Sequence, residues 1–302
     1  MRILLSLLLI LAASVASADD RSWSRIGHGR LSVNDLFGDR IDRWRTGSVA
    51  ASYVFGPAWT GRLPDVPGQV LEFRILGEVI APARLDLPWM MDRPYSQALS
   101  LGLHTHFDRG GWQVAMGADA VITGPQTGLS DFQMFLHRAT GFDHMIHPAV
   151  AAAQTPNGVH GSGVVEVGRD LSLGGATLRP FAELRAGVED MARVGLDLTI
   201  GPFGQGELLV RDPVTGHRYR AVTRPTPGVA FVAGADVAKV WESLHLPSAT
   251  NTLTDARYRL RAGVHVQRDT WAGFYGLTWL GKEFVGQRES QLIGALRIQI
   301  RF

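Results

Sequence analysis

Gln133 and His137 carry an amide and an imidazole, two groups that can take part in proton transfer and hydrogen bonding at a catalytic site. They stand four residues apart. Ser130 or Asp131 suits the start of a helix around them, and Gly141 suits its end. In such a helix the amide and the imidazole stack on one face, apart from the neighbouring phenylalanines. An imidazole held in this way can act as a general base that removes a proton from water.

Four more polar residues suit the same chemistry but lie elsewhere in the chain: Asn34, Asp35, Thr46 and Asp143. Carboxylates are preferred ligands of a hard cation such as Ca²⁺, and an amide can donate to an oxyanion. With His137 as base, they predict a hydrolytic site in which a cation or the Asn34 amide stabilises a tetrahedral intermediate. An Asn-Asp pair is also ordinary turn chemistry, so the fold must decide between the two.

The N-terminus, MRILLSLLLILAASVASADD, is typical of a secretory signal peptide. A basic residue, an apolar run over residues 3–13 and small residues at 16–18 predict cleavage after residue 18. Residues 19–302 are then predicted to form one domain. The chain contains no cysteine, which excludes disulfides and a lipidated N-terminal cysteine. A formal net charge of +2 gives no case for a nucleic-acid partner.

Beyond the signal peptide, strand-like segments alternate with short turns, which indicates an all-β fold. Twelve strands are predicted: Ile26–Asn34, Thr46–Phe55, Gln69–Val79, Tyr95–Phe107, Gly111–Val121, Gly161–Asp170, Thr177–Glu189, Ala192–Ile200, Val229–Leu244, Arg257–Gln267, Thr270–Leu280 and Gln291–Phe302. The segment around His137 is the one predicted helix.

The last strand is the most informative of the twelve. In QLIGALRIQIRF an apolar series that ends at Phe302 alternates with a largely polar series that includes Arg297 and Arg301. Strands in ordinary sheets are about half as long. Long alternating strands, an even strand number and a signal peptide are typical of a transmembrane antiparallel β-barrel in the bacterial outer membrane.

Strand parity predicts which connections meet at one rim of such a barrel. With the N-terminus in the periplasm, the connections after odd-numbered strands lie outside. The short helix then belongs to the third outer loop, together with Asp143, at the rim shared by Asn34, Asp35 and Thr46. An active site that faces the outer leaflet is therefore expected. The assignment is weakest at 201–228, which is long for a periplasmic turn.

Two other interpretations remain open at this stage. His160 and Ser162 stand two apart on one strand face, a spacing that suits a serine hydrolase of outer-membrane lipids. A porin-like barrel without enzymatic activity is the second alternative, because twelve strands can enclose a polar lumen.

The site residues belong to an ordered set of motifs that spans most of the mature chain. The motifs are Asn34-Asp35, Asp42-Arg43, Thr46-Gly47, Asp92-Arg93-Pro94-Tyr95-Ser96, Gly124-Pro125, Gln133-x3-His137 followed by Gly141, Glu283-Phe284 and Gly286-Gln287. In this order they resemble the outer-membrane lipid A 3'-O-deacylases, which are twelve-stranded barrels. The resemblance implies a calcium-dependent esterase that removes the 3'-linked acyloxyacyl chain of lipid A.

The resemblance also implies roles for individual residues. His137 matches the general base, and Asp35 matches a residue that helps to hold Ca²⁺. Asp143 falls where the family can carry an acidic residue with a cation-binding or orienting role. Three residues match further polar active-site positions: Asn34, Thr46 and Gln133. Lipid A or lipopolysaccharide in the outer membrane is the implied partner, and a monomer is expected.

The second outer loop departs from the family pattern, which can place a Lys-Arg pair there for the phosphates of lipid A. This loop reads APARLDLPWMMDRPYS, without adjacent basic residues. Arg84 and Arg93 are the candidate substrate-binding residues, although Arg93 beside Asp92 also suits an ion pair at the strand end. The apolar side chains of the loop indicate a contact with an acyl chain.

Overall fold

A computed structural model describes residues 23–140 and 146–300, without the side chains of 136–140. These residues contain fifteen strands: β1 (Ser24–Asn34), β2 (Trp44–Gly56), β3 (Leu71–Ala81), β4 (Ser96–Arg109), β5 (Trp112–Thr123), β6 (Gly158–Gly168), β7 (Leu171–Leu173), β8 (Ala176–Ala186), β9 (Glu189–Ile200), β10 (Leu208–Arg211), β11 (Arg218–Val222), β12 (Gly228–Ser243), β13 (Arg257–Gln267), β14 (Trp271–Leu280) and β15 (Gln291–Ile300). All except β7, β10 and β11 are long barrel strands. The predicted signal peptide lies outside the described residues, as do Asp143 and Phe302.

The twelve long strands close into one antiparallel barrel, as predicted. Each strand pairs with its neighbour around the barrel, and β1 completes the circle by pairing with β15. On the other side β6 pairs with β8, and β9 pairs with β12. Closure pairs the backbone groups of strands that an open sheet would leave exposed to lipid.

The two ends of the barrel carry different connections. One end, called the loop end, has the connections 35–43, 82–95, 124–157, 187–188, 244–256 and 281–290. The opposite turn end has 57–70, 110–111, 169–175, 201–227 and 268–270. This division confirms that the connections predicted to meet at one rim share one end of the barrel. The turn predicted at 190–191 lies instead at 187–188, where Gly187 has a φ of +126° that favours glycine.

The segment 201–227 enters the lumen instead of crossing the turn end as a simple turn. Its strands β10 and β11 form a hairpin. The apolar residues of the hairpin pack against lumen-facing residues of β1, β2, β14 and β15. The hydroxyl of Tyr219 in the hairpin lies 2.7 Å from that of Ser52 in β2. The hairpin therefore fills one side of the lumen, and a polar cavity of about 600 Å³ remains beside it.

Alternation along β3 separates its lumen-facing residues from its outward-facing residues. Glu72 accepts a hydrogen bond from Ser52, which also contacts Tyr219 of the hairpin, so the even-numbered residues of β3 face the lumen. The odd-numbered residues face outward. Val79 and Ala81 are nevertheless buried, because the loop-end connections fold back over them.

Two α-helices take part in this cover: α1 (Leu129–Thr140) and α2 (Pro148–Ala152). Three single 3₁₀ turns accompany them: Asp35–Phe37, Pro88–Met90 and Pro125–Thr127. Leu129 of α1 and Val150 of α2 belong to the apolar cluster around Val79. Within the described residues, no helix has both the length and the apolar character needed to cross a membrane.

Helix α1 confirms the helix predicted around Gln133, but its first turn is held differently. The hydroxyl of Thr127 accepts a hydrogen bond from the Leu129 N–H at 3.4 Å, and the Gln97 side chain accepts one from the Ser130 N–H at 2.8 Å. The predicted caps at 130 or 131 thus lie inside the helix. Its predicted end at Gly141 lies outside the described residues.

Candidate active site

Asn34 lies at the loop end and faces outward from the barrel. Leu31 and Val33 of the same strand belong to the lumen core, so alternation turns Asn34 to the outer face. Its Oδ1 accepts a hydrogen bond from the Leu36 N–H at 2.8 Å. That bond fixes the amide and leaves Nδ2 as a donor. A Cβ at Gly47 would stand 3.1 Å from Nδ2, so glycine keeps the space around the donor open.

Thr46 takes its orientation from an irregularity in β2. In the pairing of β2 with β3 the register shifts between Arg45 and Gly47, and Thr46 is the extra residue of this β-bulge. Just before it, Trp44 has a φ of +52°, a strained region for a bulky side chain. The buried Thr46 hydroxyl donates a hydrogen bond to Asp42 Oδ1 at 2.5 Å.

Asp35 and Asp42 are two carboxylates that act on one another in this region. Burial, with a smaller contribution from the charge on Asp42, raises the pKa of Asp35 to about 8. The Oδ2 atoms of both residues are buried and have no hydrogen-bond partner among the described residues. Arg43 is close in sequence, but it pairs with Asp39 and Glu289. The two carboxylates therefore present acceptor oxygens that no described cationic side chain neutralises.

Helix α1 holds Gln133 against the neighbouring part of the wall. Leu129, one turn earlier, packs beside Gly77 on the outward face of β3. The Oε1 atom of Gln133 is buried without a partner in the described chain. His137 follows one turn later on the same helical face, and its side chain lies outside the described part. The helix thus lies over β3, the strand paired with the one that carries Thr46.

The structure brings Asn34, Asp35 and Thr46 to one place, with α1 and Gln133 one strand away. Asp143 and the His137 side chain are not described, so their predicted roles stay predictions. Sequence reasoning gave no role to two nearby residues, Asp42 and Tyr95. The signal for Asp42 was its place in a motif, four residues before Thr46. The hydroxyl of Tyr95 is buried without a described partner.

Neither candidate substrate-binding arginine is paired with these residues. Arg84 is half-exposed and forms an ion pair with Asp86 at 2.8 Å. Arg93 is buried at the loop end of the lumen, where its Nη1 lies 2.5 Å from Glu283 Oε2. Arg93 is thus on the opposite side of the wall from Asn34.

Glu283 is the centre of an ion-pair cluster that ties the loop end together from inside. Besides its pair with Arg93, Glu283 forms ion pairs through Oε1 with Arg45 Nη2 at 2.8 Å and with Arg257 Nη1 at 3.4 Å. Burial alone would raise the pKa of Glu283, but the three guanidinium groups hold it well below its usual range. Because Arg45 is adjacent to Thr46, this cluster also anchors the bulge of β2 from its lumen side.

His160 and Ser162 do not form a hydrogen-bonded pair among the described contacts. The Ser162 hydroxyl donates to the carbonyl of Ala186 at 3.3 Å. The ring of His160 lies 3.2 Å from the hydroxyl of Thr123. Both residues share the face of β6 that carries Glu166, which pairs with Arg211 of the lumen hairpin. The serine-hydrolase arrangement would therefore face the lumen.

The candidate site offers oxygen ligands for a cation. In the part of the chain that the structure describes, no group of three or more His, Cys, Asp or Glu side chains is placed to hold a metal. The site instead combines the unpartnered oxygens of Asp35, Asp42 and Gln133 with the hydroxyl of Thr46. Carboxylate, amide and hydroxyl oxygens suit a hard, flexibly coordinated ion such as Ca²⁺ better than a zinc ion.

No known family profile matches the sequence, and no characterised protein matches it by sequence comparison. Among solved structures, LpxR from Salmonella typhimurium has a TM-score of 0.70 at 17% identity, with 93% of this chain and 100% of that chain covered. The NanC porin has a TM-score of 0.42 at 6% identity, with coverages of 91% and 100%. The NalP translocator domain from Neisseria meningitidis has a TM-score of 0.38 at 12% identity, with 100% of this chain and 95% of that domain covered. The chain is a closed, twelve-stranded antiparallel β-barrel with a fold like that of LpxR.

Proposed function

We propose that this barrel is a calcium-dependent esterase that deacylates lipid A by removing its 3'-linked acyloxyacyl chain. The observation that carries the proposal is the set of buried, unpartnered polar atoms on the outward face of the barrel, beside α1. A site on that face is open to lipid, so a membrane lipid reaches it without leaving the bilayer. The motif resemblance to lipid A 3'-O-deacylases and the fold likeness to LpxR support the same reaction class.

In this proposal the protein supplies a base, an oxyanion donor and a positioning group. His137 takes a proton from water as the water attacks the ester carbonyl, and it returns the proton to the leaving sugar oxygen. The Nδ2 of Asn34 donates to the carbonyl oxygen as negative charge develops there. Gln133, one helical turn before His137, orients the water or the imidazole.

Calcium fits the donors on the wall. Asp35 and Asp42 would hold it, together with Asp143, whose side chain lies beyond the described residues. A bound Ca²⁺ would place positive charge beside the ester carbonyl oxygen. Thr46 keeps Asp42 in place through its hydrogen bond. The unpaired Oδ2 atoms of the two aspartates support this assignment, because a buried carboxylate without a counter-charge is unfavourable.

The loop end is proposed to face the outside of the cell. The chain enters the barrel at the turn end, so an exported chain that starts in the periplasm leaves the loop end at the outer leaflet. Lipid A is the lipid of that leaflet in the family that the motifs resemble. One chain supplies every proposed site residue, so a monomer suffices.

The proposal is tested with the purified barrel, lipid A and Ca²⁺, using mass spectrometry of the lipid products. The expected product has lost its 3'-linked acyloxyacyl chain. His137→Ala should lower the rate by about 10²–10⁴-fold, because it removes the general base. Chelation of Ca²⁺ should stop the reaction. Lipid A and phospholipid esters that stay intact with added Ca²⁺ would sink the proposal.

Two controls separate the alternatives. Ser162→Ala should keep full activity, because the Ser162 hydroxyl is bonded to Ala186 on the lumen side. Its inactivation would favour the serine hydrolase. A porin would conduct ions in a planar bilayer, and a chelator would not change its conductance. The hairpin of β10 and β11 within the lumen argues for a closed barrel instead.

A further inference from the structure

Tyr95 lies on the same side of the barrel wall as the proposed site. It is 2% exposed and packs in the apolar cluster with Val79 of β3. Ser96, the next residue, faces the lumen, where its hydroxyl lies 2.9 Å from the ring of His245. Because successive strand residues alternate, Tyr95 faces outward, as Asn34 does.

The Tyr95 hydroxyl lies between the wall and α1. Burial raises its pKa well above the usual range, and the carboxylates of Asp42 and Asp131 add to the shift. Asp42 belongs to the connection 35–43, and Asp131 belongs to the first turn of α1. The phenol therefore stays protonated in the physiological range. Its oxygen is buried, and it forms no hydrogen bond with any described residue.

The unpartnered atoms of this region differ in kind. Asp35, Asp42 and Gln133 contribute acceptor oxygens, which a cation can satisfy. Tyr95 contributes a hydroxyl proton, which a cation cannot satisfy. A buried donor needs an acceptor, or it loses the hydrogen bonds that water would have given it. An oxygen of a substrate bound between β3 and α1 would supply such an acceptor.

We propose that the Tyr95 hydroxyl donates a hydrogen bond to an oxygen of the acylated sugar when the substrate binds between β3 and α1. The inference rests on the proposed function, whose substrate class it uses. It makes Tyr95 a substrate-contacting residue that the sequence did not single out. A hydroxyl with this role is needed when substrate is bound and contributes nothing to the folded free protein.

Tyr95→Phe removes the hydroxyl and keeps the ring. We expect kcat/KM for lipid A to fall about tenfold, the loss of one hydrogen bond to the substrate. In the His137→Ala background, which keeps substrate intact, the same change should weaken lipid A binding by a similar factor. The unfolding temperature of the free barrel should stay equal or rise, and the affinity for Ca²⁺ should not change.

Tyr219→Phe is the matched control, because Tyr219 is equally buried but its hydroxyl contacts Ser52 in the lumen. That variant should lower the unfolding temperature and keep kcat/KM. The inference is overturned if Tyr95→Phe lowers the unfolding temperature while both kcat/KM and lipid A binding stay unchanged. Such a result would mean that the Tyr95 hydroxyl donates a hydrogen bond to Asp42 in the free protein. A wild-type barrel that cleaves no ester would refute the proposed function alone, because the binding comparison still tests Tyr95.

Discussion

Buried carboxylates in the lumen and buried carboxylates on the outer wall have opposite surroundings. In the lumen Asp236 accepts hydrogen bonds from Arg259 Nε at 2.9 Å and from Arg261 Nη1 at 2.5 Å. On the wall Asp35 and Asp42 have no described cationic partner, and each keeps one buried oxygen without a hydrogen bond. Asp236 lies in β12 with its side chain in the lumen, whereas Asp35 and Asp42 lie in the connection 35–43, beside the outward-facing Asn34. The difference therefore lies in the side of the barrel wall on which a carboxylate is buried.

The contrast teaches how to tell a structural charge from a functional one in this barrel. Burying an ion costs several kcal/mol unless a counter-ion and hydrogen bonds compensate it. The arginines supply that compensation in the lumen. The nitrogens without a hydrogen-bond partner there belong mainly to guanidinium groups that form an ion pair through a different nitrogen. On the wall no described side chain supplies that compensation, which is the reason for proposing a bound cation there.

Replacing one aspartate by asparagine in each region is expected to give the largest changes in activity and stability. Asp35→Asn should lower the deacylation rate by about 10²–10³-fold, since it weakens the stabilisation of the developing charge. It should not reduce stability, because it removes the repulsion with Asp42. Activity is measured with lipid A, and stability by urea unfolding of the folded barrel.

Asp236→Asn is the matched variant for the lumen. It removes the one described carboxylate partner of Arg259 and leaves Arg261 with Asp197 alone, so we expect a loss of about 3–5 kcal/mol in unfolding free energy. The folded fraction should keep its activity and its affinity for Ca²⁺. If the two variants gave the same pattern, the distinction between the two regions would be wrong.

A pH titration sharpens the same comparison, because the wall carboxylate carries a raised pKa. The pKa of Asp35 is raised to about 8 by burial and by Asp42. Protons therefore compete with Ca²⁺ below about pH 8, and the Kd for Ca²⁺ should rise about tenfold for each unit of decreasing pH. Above that value the Kd should level off.

The measurement is calorimetric titration with Ca²⁺ at several pH values between about 6 and 9. Asp35→Asn should remove most of the pH dependence, since it removes the titrating group. The lumen variant Asp236→Asn should keep it. A wild-type Kd that stays constant over this range would exclude Asp35 as a ligand.

The fold was predictable because its evidence is periodic. Alternation over a dozen residues in the last strand indicated the barrel, and parity then grouped the loop-end connections. The hairpin at 201–227 was not predictable, because its strands are short and its charged residues pair far along the chain. Arg211, for example, pairs with Glu166, 45 residues away. Only closure of the barrel brings such partners together.

The site was predictable only where it coincided with a strand end. Asn34 and Asp35 close β1, which placed them correctly at the loop end. The part played by Thr46 depends on a bulge, which is a property of the register between β2 and β3 and not of the local sequence. Arg93 was predicted to bind substrate or to form an ion pair with Asp92. Its partner is instead Glu283, 190 residues away, and this pairing holds Arg93 in the lumen.

The smallest expected effect concerns the apolar cover of the wall site. Trp89 is 78% exposed and Phe135 of α1 is 64% exposed, in two connections that fold over the outward face of β3. In the proposed function these exposed side chains contact the acyl chains of lipid A. Phe135→Ser should raise KM for lipid A in vesicles about fivefold, because burying part of a phenylalanine contributes about 1 kcal/mol, while kcat stays unchanged.

Val285→Ser is the control for that change, since Val285 is 66% exposed at the loop end but belongs to the connection 281–290. It should leave KM unchanged. The effect of Phe135→Ser should also disappear when lipid A is presented in excess detergent, which competes for apolar surfaces. An unchanged KM in vesicles would mean that α1 covers the polar atoms of the wall without touching the lipid. The comparison between wall and lumen would then rest on the carboxylates and Tyr95 alone.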